Sequence, residues 1–212
     1  MEKGQIELEQ VGKGNSVIGV DEVGRGCIAG PVFGACVALD YSKLKGLDSK
    51  TLGLIRDSKK LSALQRKKIQ PIIQGISKEC HIGRSSVREI EKYGIVEATF
   101  LAIRRALDQC DKSYDLLLMD GKQKVSGYTG NQMAIVGGDG LCFAIAAASI
   151  LAKEARDAYM KRKSSEFPEY DFDKNVGYGT KTHLSAIHDY GICSLHRKNF
   201  SPISSMISDA TV

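Results

Sequence analysis

The sequence predicts an α/β domain built on a mixed five-stranded sheet with helices on both faces. Three observations lead there. Five short runs rich in β-branched or aliphatic residues fall at 17–21, 31–40, 79–86, 115–119 and 133–136. Segments of helical periodicity with cap signals lie between and after them. The first two runs are joined by a glycine-rich connection, the third follows a helix-containing insert, and the last two alternate with helices.

The elements follow in order. VIGVD is the first strand and PVFGACVALD the second. Ser62 with Gln65 makes a capping box opening LSALQRKKI. ECHIGRSS is the third strand, and Ser86 with Glu89 opens VREIEKY, which Gly94 stops. Ile95, Thr99, Ala102, Ala106 and Cys110 mark one face of a helix from 95 to about 110. DLLLM and MAIV are the last strands. A long helix starts at Phe143, its Ala-rich first half suited to close packing, and a final helix is expected near 182–190. Residues 1–15 and 204–212 read as loose tails, 16–165 as the core domain and 166–203 as a C-terminal helical extension.

Composition bounds the function. The 212 residues, 42% hydrophobic and 26% charged, fit one soluble globular domain. No apolar run approaches the ~20 residues of a membrane span, and the N-terminus lacks a signal-peptide core, so a cytoplasmic location is expected. No Gly-x-Gly-x-x-Gly or Walker lysine motif is present, which disfavours a nucleotide-phosphate cradle. The six cysteines form no Cys-x-x-Cys and read as reduced thiols, and the four histidines match no zinc spacing, so zinc is not expected. A net charge of +5 permits a polyanionic partner without establishing one.

The chemistry concentrates at strand ends. Asp21 and Glu22 close the first strand, Asp120 follows Leu116–Met119, and Asp139 sits in VGGDG before the long helix. Asp-Gly is also a turn dipeptide, and Asp before a helix is a common N-cap, so each acid alone has a plain structural reading. If the strands are neighbours, however, four carboxylates converge on one sheet edge. Like charges ~4 Å apart repel by about 4 kcal/mol at an effective dielectric of 20, so a proton, a cation or distance must offset them. Oxygen donors without His or Cys suit Mg²⁺ or Mn²⁺, and four carboxylates can hold two ions ~3.5–4 Å apart for in-line phosphodiester cleavage.

The motifs that carry these acids resemble those of the ribonuclease HII family. VDEVGRGCIAGPV, DSKKLS (57–62), MDG (119–121), GGD (137–139), AAASILAKEARD (146–157), GYGTKTH (177–183) and HRKNFSP (196–202) follow in the family's order, over about residues 17–203. The resemblance implies a ribonuclease H-like core with a C-terminal helical extension that contacts substrate. It implies Mg²⁺- or Mn²⁺-dependent hydrolysis, with two ions per site, of RNA in RNA–DNA hybrids and of single ribonucleotides in duplex DNA, cut on the 5′ side to leave a 3′-hydroxyl and a 5′-phosphate. The implied metal-binding and catalytic acids are Asp21, Glu22, Asp120 and Asp139. Gly-Arg-Gly, with sixteen residues before Val17, separates the chain from the sister type, ribonuclease HIII.

Candidate substrate-binding residues are Gly24, Arg25 and Gly26, Lys59 in DSK, and Tyr178, which falls where the family places a ribonucleotide-sensing tyrosine. Glycine lets backbone approach the sugar, Arg25 can grip a phosphate or brace the loop, and the 2′-hydroxyl is what marks RNA. Lys181, Arg197 and Lys198 could follow the DNA backbone or be a solvated surface run. Asp157 reads as structural, pairing with Arg156 or Lys153. The chain departs from the family pattern at Cys27 (usually Pro), Gly137 (usually Lys) and Asn199 (usually Ser). A monomer is expected, with no clamp-binding peptide. Two alternatives remain: a hybrid-binding module without turnover, and a transposase- or resolvase-type polynucleotidyl transferase.

Overall fold

A computed structural model describes residues 2–209. Five strands form one sheet: β1 (Val17–Val23), β2 (Val32–Leu39), β3 (Ser77–Ser85), β4 (Leu116–Asp120) and β5 (Gln132–Ile135), in the order β3-β2-β1-β4-β5. β1 and β2 pair antiparallel, as do β2 and β3, whereas β1–β4 and β4–β5 are parallel. The helices are α1 (Gln5–Gly12), α2 (Tyr41–Lys45), α3 (Ser49–Leu52), α4 (Ala63–Ile76), α5 (Val87–Leu107), α6 (Gly138–Leu141), α7 (Phe143–Ser164), α8 (Phe172–Asn175), α9 (Lys181–Tyr190) and α10 (Ile203–Asp209). None among the described residues is long and apolar enough to cross a membrane.

β1 and β2 are central because they can be buried on both faces. Ile18, Val20, Cys36 and Ala38 pack with Phe100, Ile103 and Ala106 of α5. On the other face Ala35, Val37 and Leu39 pack with Ile69 and Ile73 of α4 and with the alanines of α7. Each aliphatic side chain fully buried this way contributes roughly 1.5–3 kcal/mol. Gly19 lets α7 lie directly on β1: a Cβ there would stand 2.4 Å from the Ala144 carbonyl carbon. Both capping boxes form as the sequence indicates. Gly94, at φ 78° and ψ 162°, breaks α5 into two segments, and the second ends at Leu107 rather than near 110.

The N-terminal segment is not the loose tail expected from its polar composition. Residues 5–12 form α1, and Glu7 on it is fully buried. Its carboxylate accepts from the backbone N–H groups of Phe143 (2.8 Å) and Ala144 (2.7 Å) and from the Tyr41 hydroxyl (3.1 Å). Glu7 thus caps α7, whose own N-cap, Cys142, supplies no side-chain bond. A cap of this kind is worth ~0.5–2 kcal/mol. At the other end, 204–209 continue α10 from a buried Ile203 instead of trailing away, and 210–212 lie outside the described residues.

Candidate active site

Parallel pairing sets the site. Val20 lies beside Met119 across β1 and β4, so the next residues, Asp21 and Asp120, reach the same edge on strands ~4.8 Å apart. One Asp120 oxygen accepts from the Gly138 N–H at 2.7 Å, which draws the α6 turn and Asp139 to that edge. Asp139 is not a helix cap: α6 starts from Gly137 without a side-chain cap, and Glu7 serves α7. Lys3 instead donates to the Asp139 carbonyl at 3.0 Å, so the N-terminal segment brings a cation beside this acid.

The four acids behave as one electrostatic unit. Burial pushes the Asp21 carboxyl well above its ordinary value, and the Glu22 and Asp120 charges push it further, although Ser149 and the Glu22 N–H (2.7 Å) donate to it. Asp21 is only 6% exposed. Burial also raises Glu22; Arg25, 3.2 Å away, opposes this, and Asp120 adds to it. Asp139 is raised by burial, then by Asp57 and Asp120. Asp120 therefore presses on each of the other three. No three of these four acids bring carboxylate oxygens within 4.8 Å of one another; among the described residues the one trio of metal-ligating atoms that does so lies elsewhere, at Glu79, His81 and Cys110. Burial, with the repulsion of neighbouring carboxylates added to it, favours protonation of Asp21, Glu22 and Asp139, and a divalent hard cation relieves such a set of oxygen donors, so Mg²⁺ or Mn²⁺ fits these residues.

Two buried guanidiniums shape the loop beside the acids. Arg197 donates to the carbonyls of Gly24 (2.6 Å), Arg25 (3.0 Å) and Gly30 (2.9 and 2.7 Å). Arg156 donates to Ala29 (3.0 Å), Pro31 (3.0 Å) and Val176 (2.7 Å). Arg197 is thus not available to a DNA backbone: it is wholly buried and its donors are spent on the loop. Gly24, at φ +95°, admits no side chain, since a Cβ would sit 2.2 Å from Arg156 Nε. Gly26 is exposed with nothing within 4 Å of a Cβ position, and Arg25 reaches outward. Sequence reasoning missed Arg156 as a structural residue. The signal was its place on the buried stripe Ile145, Ser149, Ala152, Arg156, Met160, where an arginine must find internal acceptors.

Lys59 is exposed on a 3-10 turn at Ser58–Lys60, near enough to the site for its charge to act on Glu22, Asp139 and Tyr178. The turn is tied to Asp21 through one residue. The Ser58 hydroxyl bonds that of Ser149 at 2.9 Å, and Ser149 bonds Asp21. Arg66 holds the turn's other side through the Ser58 and Leu61 carbonyls and pairs with Asp157, whose second partner is Lys153 at 2.6 Å; Arg156 takes no part. Tyr178 is 43% exposed, with its hydroxyl bonded to the Cys27 thiol. Its carbonyl accepts from Thr180 N–H (2.9 Å) and from His183 Nδ1 (2.8 Å). His183 and His196 meet through their Nε2 atoms at 3.0 Å, and His196 Nδ1 accepts from the Cys193 N–H. That places the His196 proton on Nε2, donating to His183, whose Nδ1 proton goes to Tyr178. Burial holds both rings neutral, His196 at about 4. Lys181 and Lys198 are exposed.

A 3-2-1-4-5 mixed sheet with acids at the ends of its two central parallel strands is the ribonuclease H-like α/β fold. The ribonuclease H2 of Pyrococcus horikoshii OT3 superimposes with TM-score 0.76 at 20% identity, over 92% of this chain and 98% of that one. Bst-RNase HIII, crystallised in complex with Mn²⁺, gives TM-score 0.69 at 17% identity, over 92% of this chain and 70% of that one. The sequence pattern of the Ribonuclease HII family matches residues 18–203. The chain is 45% identical to the Ribonuclease HII of Parasynechococcus marenigrum (strain WH8102), across 87% of this chain and 81% of that protein. It is also 45% identical to that of Prochlorococcus marinus subsp. pastoris, across 94% and 93%. The chain belongs to the ribonuclease HII family and is an endonuclease of the ribonuclease H2 type.

The raised Asp21 carboxyl has a stability consequence in metal-free protein. Because the folded state holds this proton more tightly than the unfolded chain, stability is lost as pH rises above the ordinary value of 3.8 toward the raised one. Asp21→Asn keeps the acceptor oxygen without the charge. Urea unfolding in chelator should show the variant more stable than the native chain at pH 8, with the gap closing toward pH 4. Equal stabilities across the range would contradict the electrostatic account.

Proposed function

We propose that Asp21, Glu22, Asp120 and Asp139 hold two divalent ions, Mg²⁺ or Mn²⁺, and that the protein hydrolyses the RNA strand of RNA–DNA hybrids and cuts 5′ to single ribonucleotides in duplex DNA. The products carry 3′-hydroxyl and 5′-phosphate ends. The observation that carries this reading is the convergence of the four acids on one sheet edge, where the Asp120 charge acts on all the others. When bound, such ions lower the pKa of the attacking water and neutralise charge on the leaving oxygen.

The protein's own residues do the rest. Asp21 is fixed by Ser149 and the Glu22 N–H, so its oxygens do not reorganise as charge develops. Asp120 keeps one oxygen on Gly138 and leaves the other for the site. Gly26 and the Gly24 backbone, braced by Arg197, receive the sugar-phosphate, with Arg25 and Lys59 as its cations. Tyr178 stacks on the sugar or base of the ribonucleotide, and its hydroxyl exchanges the Cys27 thiol for the 2′-hydroxyl. It stands in the 166–203 extension, which makes that segment substrate-contacting beside a 16–165 catalytic core. The chain acts as a monomer.

Asp120→Asn should fold normally, since its amide oxygen still accepts from Gly138, and should lose at least about a hundredfold in cleavage. The assay is Mg²⁺-dependent cutting of a DNA duplex containing one ribonucleotide, beside an all-DNA control. Near-native cutting by the variant would remove the metal assignment. Tyr178→Ala should reduce cutting at a single embedded ribonucleotide at least about tenfold more than on a long hybrid. Equal losses on both substrates would rule out ribonucleotide reading by this ring.

A further inference from the structure

We propose that Cys36, Glu79, His81 and Cys110 form a second cation site, for a thiophilic divalent ion of the zinc class, on the α5 face of the sheet, opposite the face from which Asp21 reaches Ser149. The strand alternation builds it. Glu79 and His81 lie two apart on β3 and share a face, and Cys36 is the cross-strand partner of His81 on β2. Cys110, in the turn that closes α5, packs against the same core cluster as Cys36. The ligand atoms of Glu79, His81 and Cys110 all lie within 4.8 Å of one another. The Cys36 and Cys110 sulfurs are 3.7 Å apart. Two thiolates each ~2.3 Å from one tetrahedral zinc stand ~3.8 Å apart, so the sulfur pair already has the spacing of a shared ion.

Two further observations point to an ion rather than to ordinary packing. Glu79 Oε2 is shielded from solvent and accepts no hydrogen bond, the one such side-chain atom among the described residues. The Tyr114 hydroxyl lies beside the Glu79 carboxylate, where an outer-shell group that orients a metal-binding carboxylate would stand.

The site is separate from the acids. Cys36 lies level with Val20, whose side chain points to the α5 face, whereas Asp21 reaches Ser149 of α7 on the other. A histidine nitrogen, a thiolate and a carboxylate already lie together, and the Cys36 sulfur, 3.7 Å from that of Cys110, would supply the fourth donor of a tetrahedral set. No zinc spacing shows along the chain because the ligands come from three separate elements. An ion here would fasten the edge strand β3 to β2 and to the end of α5.

The test is Co²⁺ titration of the intact, reduced protein. We expect one equivalent to produce sulfur-to-cobalt charge-transfer absorption with the intense visible bands of tetrahedral cobalt, and Zn²⁺ to abolish both. Cys110→Ser and His81→Asn should each weaken Co²⁺ affinity at least about tenfold. Cys193→Ser should leave it unchanged. Circular dichroism reports whether each variant is folded, and having two ligand variants keeps the test valid if one is not. Absence of the charge-transfer band in the native chain, or its persistence at native affinity in both folded ligand variants, would overturn the proposal. So would a Cys36–Cys110 disulfide that forms in air while reduced protein binds no cobalt.

Discussion

The in-register parallel pairing of β1 with β4 is the constraint on which the site depends. It puts Asp21 and Asp120 on neighbouring strands at one edge, and the Asp120–Gly138 bond then fixes where Asp139 can be. The arrangement is costly: burial and mutual repulsion raise Asp21, Glu22 and Asp139. The protein offsets part of that cost with Arg25, Ser149, two backbone N–H groups and the nearby charge of Lys59. It does not offset all of it, and a site that lowers stability while creating a use for a cation is the ordinary trade between stability and activity.

Around the acids the fold is fastened by buried cations rather than by apolar contact alone. Arg156 and Arg197 gather six carbonyls from the loop after β1 and from the segment before Tyr178. Burial lowers Arg197 to about 10, which leaves it charged at neutral pH, and charge-assisted hydrogen bonds of this kind contribute roughly 1.5–3 kcal/mol each. The same segment is held from behind by the neutral His183–His196 pair, which ends on the Tyr178 carbonyl. The Tyr178 ring is thereby left exposed on a fixed backbone, which is how a binding group can be both presented and aimed.

Much of this was legible in the sequence because it rests on local chemistry. Alternating or continuous apolar runs marked all five strands to within about three residues at each end, and both capping boxes formed at the predicted serines. The acids were legible as a group because each follows an apolar run. What escaped was set by distant partners. A polar N-terminus reads as a tail, yet Glu7 finds the open end of α7. Arg197 reads as a surface cation beside Lys198, yet it is buried because the loop after β1 presents carbonyls that only a guanidinium can collect. The short helices α2, α3, α6 and α8 lack the length for periodicity to show.

The central claim is that Asp21, Glu22, Asp120 and Asp139 close on divalent cations. A crystal of the protein soaked in Mn²⁺, with anomalous difference density collected near the manganese edge, measures this directly. The account predicts a peak ringed by these four carboxylates at the β1–β4 edge. A map with no peak there, or with manganese bound only elsewhere on the molecule, would contradict it.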